Sequence, residues 1–171
     1  VGDMLARRDT ARAEVYRTNA DDYAQRLDSL DQYVATQAQR IPEEQRVLVT
    51  SHDAFRYLGQ AYDLEVRGLQ GISTATEAGT QDVQNLADFV VKRKIPALFV
   101  ESSVSPRGIE AVRAAVESKG FQVQLGGTLY GDALGSRDSP QGTYIGALRH
   151  NIATIVAGLL NEPTQSPTAA R

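Results

Sequence analysis

Three side chains of types that bind metals or transfer protons follow predicted β-strands. His52 comes two residues after the end of the apolar run 47–50, and Glu101 comes directly after the apolar run 97–100. Asp132 lies in the loop that follows a later predicted strand. Ligands of parallel α/β sheets bind outside the carboxyl ends of the strands. We therefore expect these three side chains to meet at one edge of a sheet.

Imidazole and carboxylate groups suit two kinds of chemistry, metal binding and general acid–base catalysis. Each residue also has a purely structural interpretation. His52 could hydrogen-bond a loop near a helix start, and Asp132 could be a turn aspartate between glycines. For Glu101 we favour a supporting role as an acceptor at a strand end. His150, on the last predicted helix, is interpreted as a packing residue outside the site.

Several other site types have no motif in the chain. There is no phosphate-binding Gly-x-x-x-x-Gly-Lys-Ser/Thr loop, no Gly-x-Ser-x-Gly elbow and no His-Glu-x-x-His pair. A serine hydrolase would have to use His52, yet no serine has the elbow context. The absence of cysteine excludes disulfides and thiolate ligands.

The first forty residues are predicted to form one long helix. Glycine and proline are absent between Asp3 and Ile41, and Pro42 ends the segment. An interruption is possible at Asp9 or Thr10. Four apolar residues recur at helical spacing along it: Tyr23, Leu27, Leu30 and Val34.

Strands and amphipathic helices alternate through the rest of the chain. Strands are predicted at 47–50, 66–69, 97–100 and 121–125, and helices at 53–62, 80–94, 106–119 and 143–160. Residues 126–142 are predicted to be a loop, and the helix 53–62 is predicted to turn Tyr57 inward. This alternation predicts an α/β fold with a mostly parallel four-stranded sheet, helices on both faces and a long preceding helix.

Net charge and hydropathy argue against two kinds of partner, nucleic acid and membrane. A net charge of −3 gives no basic excess for nucleic acid, and no window of 18 apolar residues predicts a transmembrane segment. We predict three parts: the helix 1–41, the α/β lobe 42–161 and a disordered tail 162–171. The opening Val1-Gly2-Asp3 lacks the features of a signal peptide and is interpreted as a cut or processed start.

Four ordered segments resemble a known family. They are 46–57 (RVLVTSHDAFRY), 68–74 (GLQGIST), 97–105 (ALFVESSVS) and 127–133 (GTLYGDA). The closing stretch 143–151 (TYIGALRHN) also fits. The chain is similar over nearly its whole length to the TroA/ZnuA/PsaA-like solute-binding proteins of zinc and manganese ABC importers. It most resembles the TroA type, because His occupies position 52 where manganese-specialised members carry Glu.

The resemblance implies a site and a cellular role. Such proteins have two α/β lobes joined by a long helix and hold the metal in the cleft between them. Carried over by motif, His52 and Asp132 are metal ligands and Glu101 is a supporting residue nearby. The first lobe and its two histidines are missing from this chain, so we expect weak Zn²⁺ or Mn²⁺ binding by it alone.

The implied role is metal capture in the bacterial periplasm or another extracytoplasmic location, without catalysis. The implied partners are the membrane subunits of an ABC transporter and the missing N-terminal lobe.

Two other hypotheses remain open from the residues. A metal-dependent hydrolase or chelatase-like α/β enzyme could use His52 or Glu101 as general base. Such an enzyme predicts a pocket that is complete within this chain, whereas half of a binding site predicts an open face. A third hypothesis is a scaffold that only docks to a transporter.

Overall fold

The computed structural model describes residues 1–72 and 78–163. Ser73 and Thr74, which end one of the family-like segments, lie outside the described residues. So does most of the predicted disordered tail, residues 164–171.

Four parallel strands form one sheet, as predicted. In chain order they are β1 (Val47–His52), β2 (Glu65–Gln70), β3 (Ala97–Glu101) and β4 (Gln124–Leu129). The spatial order is β2-β1-β3-β4, which places β1 and β3 at the centre. Every residue of β1 is buried, as its continuously apolar start predicts.

Helices cover both faces of the sheet. The described chain contains α1 (Gly2–Arg8), α2 (Ala13–Ala38), α3 (Arg56–Tyr62), α4 (Thr80–Arg93), α5 (Arg107–Ser118) and α6 (Tyr144–Leu159). One core lies between the sheet and α2, α3 and α6, and includes Leu48, Phe99 and Ile155. The other lies between the sheet and α4 and α5, and includes Val49 and Leu98. Strand residues therefore alternate between two cores.

The long predicted helix is present as α2, but it begins at Ala13. A break at Asp9 separates it from the short helix α1, and the Asp9 carboxylate accepts hydrogen bonds from Arg12 and Tyr16. Helix α1 folds back along α2, so that Gly2 lies against Ala20. Only the C-terminal part of α2 enters the core, with Leu30, Val34 and Ala38 buried. Tyr23, at the start of the predicted stripe, is 43% exposed.

Two predicted boundaries were wrong. The helix predicted from residue 53 begins at Arg56, so it is only two turns long, and Tyr57 is 86% exposed rather than inward. The fourth strand, predicted at 121–125, runs from Gln124 to Leu129 and includes two glycines that had been assigned to a loop.

Close packing explains the glycines within β4. A β-carbon on Gly126 would meet the Phe99 ring at 2.5 Å, and one on Gly127 would meet Thr154 at 2.7 Å. Gly127 also has a φ of 131°, and the β3–β4 register shifts at Leu98/Phe99. Glycine inside a strand commonly marks such an irregularity or a close approach.

No helix in the described parts of the chain combines the length and apolar character that crossing a bilayer requires.

Candidate metal site

His52 is the last residue of β1 rather than the first residue of a helix. A turn follows it, in which the Ala54 N–H donates to the His52 carbonyl at 3.0 Å. Its imidazole lies on the face of the sheet covered by α2, α3 and α6, and its side chain is 1% exposed. An aromatic ring held this tightly has a fixed orientation, so its two nitrogens face different partners.

Glu101, the last residue of β3, contacts both the backbone and the ring of His52. Oε1 accepts a hydrogen bond from the His52 N–H at 2.8 Å. Oε2 lies 2.7 Å from the ring Nδ1, in a contact whose angle is outside hydrogen-bond geometry. A carboxylate beside Nδ1 favours the tautomer with its proton there, which leaves the Nε2 lone pair available.

Asp132 faces the other ring nitrogen. Its Oδ2 lies 3.0 Å from His52 Nε2, and its side chain is 63% exposed. The loop that carries it continues directly from β4. One edge of the buried imidazole therefore faces a buried carboxylate, and the other edge faces an exposed one.

The spacing of Nε2 and Oδ2 suits two ligands of one metal ion. Zinc–nitrogen and zinc–oxygen bonds are about 2.0–2.2 Å long, which places two tetrahedral ligands about 3.3 Å apart. The observed 3.0 Å is a few tenths of an ångström shorter and is an ordinary hydrogen-bond distance, so a metal ion bound by both atoms would move them slightly apart. Glu101 cannot share this metal position, because it lies on the opposite ring nitrogen. In protein metal sites, a carboxylate in such a place commonly orients the metal-bound histidine.

Burial dominates the electrostatics of Glu101. Loss of solvent raises the pKa of this carboxyl above its ordinary value, and the nearby Asp132 raises it further. The His52 N–H and ring act in the opposite direction. The carboxyl is thus held inside the protein mainly by its contacts with His52.

The structure brings all three predicted site residues together at the centre of the sheet edge. Helix α3, which follows β1, lies on one face of the sheet, whereas α5, which follows β3, lies on the other. The chain connections therefore leave in opposite directions from these two neighbouring strands, which makes a topological switch point between them. Ligands of open α/β sheets bind at this kind of switch point. The expectation of a shared edge is therefore confirmed in its geometry, while the roles of the residues remain a prediction.

The described residues do not supply a full set of metal ligands at this site. No group of three or more histidine, cysteine, aspartate or glutamate residues there is arranged around a common ion position. The open face expected of half a binding site is present at Asp132, whose side chain is 63% exposed, but not at His52, whose side chain is 1% exposed.

Asn151 of α6 was not predicted to be a site residue. Its side chain is hydrogen-bonded to the backbone of Tyr130, two residues before Asp132. Ala147, Asn151 and Ile155 recur at a spacing of four residues on the buried face of α6. A polar residue in the middle of that apolar stripe was the available signal. His150, interpreted as a packing residue, lies beside Tyr130 and contacts the Thr128 carbonyl.

Comparisons with known proteins identify the fold and the family. The model of the ZnuA family, described as zinc-uptake complex component A, periplasmic, matches residues 1–158. The chain belongs to the ZnuA family. This match confirms the family inferred from the four motif segments, and the family description agrees with the predicted extracytoplasmic location.

Two curated relatives of this ZnuA-family chain are similar over most of its length. The zinc-binding protein TroA of Treponema pallidum is 54% identical over 137 residues, which cover 80% of this chain and 44% of TroA. The manganese-binding lipoprotein MntA of Bacillus subtilis is 47% identical over 147 residues, which cover 86% of this chain and 48% of MntA.

A solved structure of periplasmic TroA from Treponema pallidum superposes with a TM-score of 0.88. It is 47% identical and covers 92% of this chain and 57% of TroA, which confirms the predicted fold class. The chain spans about half the length of these relatives. Their names are those of metal-binding proteins, so the ZnuA-family match does not support the hydrolase or chelatase hypothesis.

Proposed function

We propose that this chain is the metal-binding second lobe, with its preceding helix, of an extracytoplasmic solute-binding protein. That protein captures a divalent transition metal and delivers it to the membrane subunits of an ABC importer. His52 Nε2 and Asp132 Oδ2 bind the metal, and Glu101 orients the imidazole. The metal is cargo, and the chain performs no catalysis.

The observation that carries this proposal is the two-sided environment of the His52 ring. Nδ1 lies against a fully buried carboxylate, while Nε2 lies 3.0 Å from an exposed one. A structural histidine needs only the buried partner. The exposed carboxylate beside Nε2 supplies a second metal ligand, and this pairing supports the proposal.

Two protein ligands do not complete the coordination of zinc or manganese. Protein zinc sites generally have four ligands, so the remaining positions are to be filled by another lobe or by water. The similarity to a zinc-binding relative and a manganese-binding relative supports a divalent metal without choosing between these two. One imidazole and one carboxylate also suit either metal.

Calorimetric titration of the chain with Zn²⁺ and with Mn²⁺ tests this function. We expect weak binding by the parent chain that is lost in His52→Ala and in Asp132→Ala. Asp138→Ala, in the same loop as Asp132, is the matched control for the carboxylate.

Each result of the titration has a different meaning for His52 and Asp132. Binding that survives both His52→Ala and Asp132→Ala would remove these residues as ligands. An equal loss in Asp138→Ala would indicate nonspecific binding to surface groups. If the parent chain binds neither metal, the titration is repeated with the complete two-lobed protein, where the same two variants must still weaken binding.

A further inference from the structure

The polypeptide leading to Asp132 continues from an edge strand of the sheet. On one side of this strand, β3 supplies backbone partners, and the Leu129 carbonyl accepts from the Ser102 N–H at 2.9 Å. The backbone groups of Thr128 and Tyr130 point the opposite way, because successive residues of a strand alternate in direction. No strand covers that side in the described chain.

Asn151 of α6 supplies the missing partners for Tyr130. Its Oδ1 accepts from the Tyr130 N–H at 2.9 Å, and its Nδ2 donates to the Tyr130 carbonyl at 2.8 Å. The carboxamide thus makes the same pair of hydrogen bonds as a residue of a neighbouring strand. Asn151 is 2% exposed, so the two bonds are shielded from water.

His150, the preceding residue of α6, adds a contact with Thr128, which lies two residues before Tyr130 in β4. Its Nε2 lies 2.9 Å from the Thr128 carbonyl, and its ring packs edge-on against Tyr130 with centroids 5.3 Å apart. Two consecutive side chains of one helix therefore hold the end of β4 over the three residues that precede the Asp132 loop.

We infer that Asn151 is a positioning residue that fixes Asp132 opposite His52 Nε2 by clamping the backbone of Tyr130. The inference rests on the proposed function, because it assigns Asn151 a role in presenting a metal ligand. Asn151 itself does not contact the metal. Only Gly131 separates the clamped residue from Asp132, and buried hydrogen bonds resist the displacement of a backbone more strongly than solvated ones.

A metal-free measurement tests this inference first. We expect strong hydrogen-exchange protection of the Tyr130 amide in the parent chain, although β4 is an edge strand. Asn151→Ala should move the ring nitrogen resonances of His52 toward their values in Asp132→Ala. The same substitution should not move them further in the Asp132→Ala background, because the two residues act through one contact.

Zinc titration supplies the functional measurement. Asn151→Ala should weaken binding about tenfold, as expected for residues that support metal ligands. The matched control is Gln124→Ala, since Gln124 Nε2 bonds the Gly158 carbonyl between the same two elements at the end remote from Asp132. That variant should leave zinc affinity and the His52 resonances unchanged.

Four results would overturn the inference. The first is rapid hydrogen exchange of the Tyr130 amide in the parent chain, and the second is a set of His52 resonances that Asn151→Ala leaves unchanged. The third is that Asn151→Ala shifts the His52 resonances equally in the parent and in the Asp132→Ala background. The fourth is that Gln124→Ala changes zinc affinity and the His52 resonances as much as Asn151→Ala does. The exchange measurement needs no variant, so it decides even if Asn151→Ala fails to fold. Zinc affinity that is insensitive to Asp132→Ala would instead refute the proposed function, which the single variant reveals by itself.

Discussion

Glu101 binds the backbone and contacts the ring of His52, a residue 49 positions away in sequence. The two residues end the two central strands, and both side chains are almost completely buried. The contact therefore joins β1 and β3 at their carboxyl ends and sets the direction of the imidazole at the same time.

Glu101→Gln should separate these two roles. The amide retains an oxygen for the His52 N–H but loses the charge that favours a proton on Nδ1. We expect metal affinity to fall by about 10- to 100-fold. The unfolding midpoint at neutral pH should equal or exceed that of the parent, because an uncharged amide costs less to bury. Calorimetric titration and thermal denaturation measure the two effects.

A lower unfolding midpoint with unchanged metal affinity would contradict this assignment and make Glu101 purely structural. Glu65→Gln is the control, since Glu65 ends no central strand and pairs with Arg67 and Arg93 on the surface. It should leave metal affinity unchanged.

Gly131→Ala should disturb the site by steric overlap, without changing any charge. A β-carbon there would lie 2.9 Å from Glu101 Oε2 and 3.2 Å from the Ala54 β-carbon. We expect weaker metal binding and a loss of about 1–3 kcal/mol in the free energy of unfolding, as for other overpacked positions. Gly71→Ala is the control, because among residues 1–72 and 78–163 nothing lies within 4 Å of a β-carbon placed at Gly71. Similar losses in both variants would show that the Gly131 contacts are unimportant.

Tyr62 should lose its proton at a higher pH than an ordinary tyrosine. Partial burial and the hydrogen bond to Asp31 at 2.7 Å raise its pKa to about 12. The folded chain therefore retains this proton more strongly than the unfolded chain, whose tyrosine pKa is about 10. Its stabilising contribution is complete below pH 10 and is lost between about pH 10 and 12.

Tyrosinate absorbance checks this value, as the difference between the parent and Tyr62→Phe. The chain has seven tyrosines and no tryptophan, so the difference isolates one phenol. A difference curve centred near pH 10 would show that Asp31 and burial have little effect on Tyr62.

Gly158→Ala should destabilise the fold although it improves helix propensity. Alanine gains about 1 kcal/mol over glycine within a helix. A β-carbon at Gly158, however, would meet the Phe99 ring at 2.8 Å and lies near Gly126. We expect a net loss of about 1 kcal/mol in urea denaturation, since overpacking costs about 1–3 kcal/mol. In a Phe99→Leu background the same change should become neutral or stabilising.

The parallel sheet and the shared edge followed from sequence because their signals are local. Short apolar runs predict buried strands, and the side chain after each run must emerge at the carboxyl edge. His52 and Glu101 could be placed by this rule. Their contact distance and the division of the two ring nitrogens could not, since they depend on the register between strands that are distant in sequence.

The errors also have physical causes. Gly126 and Gly127 were assigned to a loop because glycine disfavours strands, but in β4 their missing side chains make room for Phe99 and Thr154. The pattern predicts an inward Tyr57 because it places the start of the helix at residue 53, three residues before the observed start at Arg56. The clamp made by Asn151 joins a helix to a strand, and no periodicity within either element predicts such a pairing.

The cover that α6 provides for β4 also bears on self-association. An uncovered edge strand is a template on which another chain can add a strand. Near the Asp132 loop, the outward groups of β4 already bond Asn151 and contact His150, so they offer little to a second molecule. The opposite edge strand, β2, carries the charged Glu65 and Arg67, which discourage intermolecular pairing. The lobe should therefore resist cross-β aggregation at both edges of its sheet.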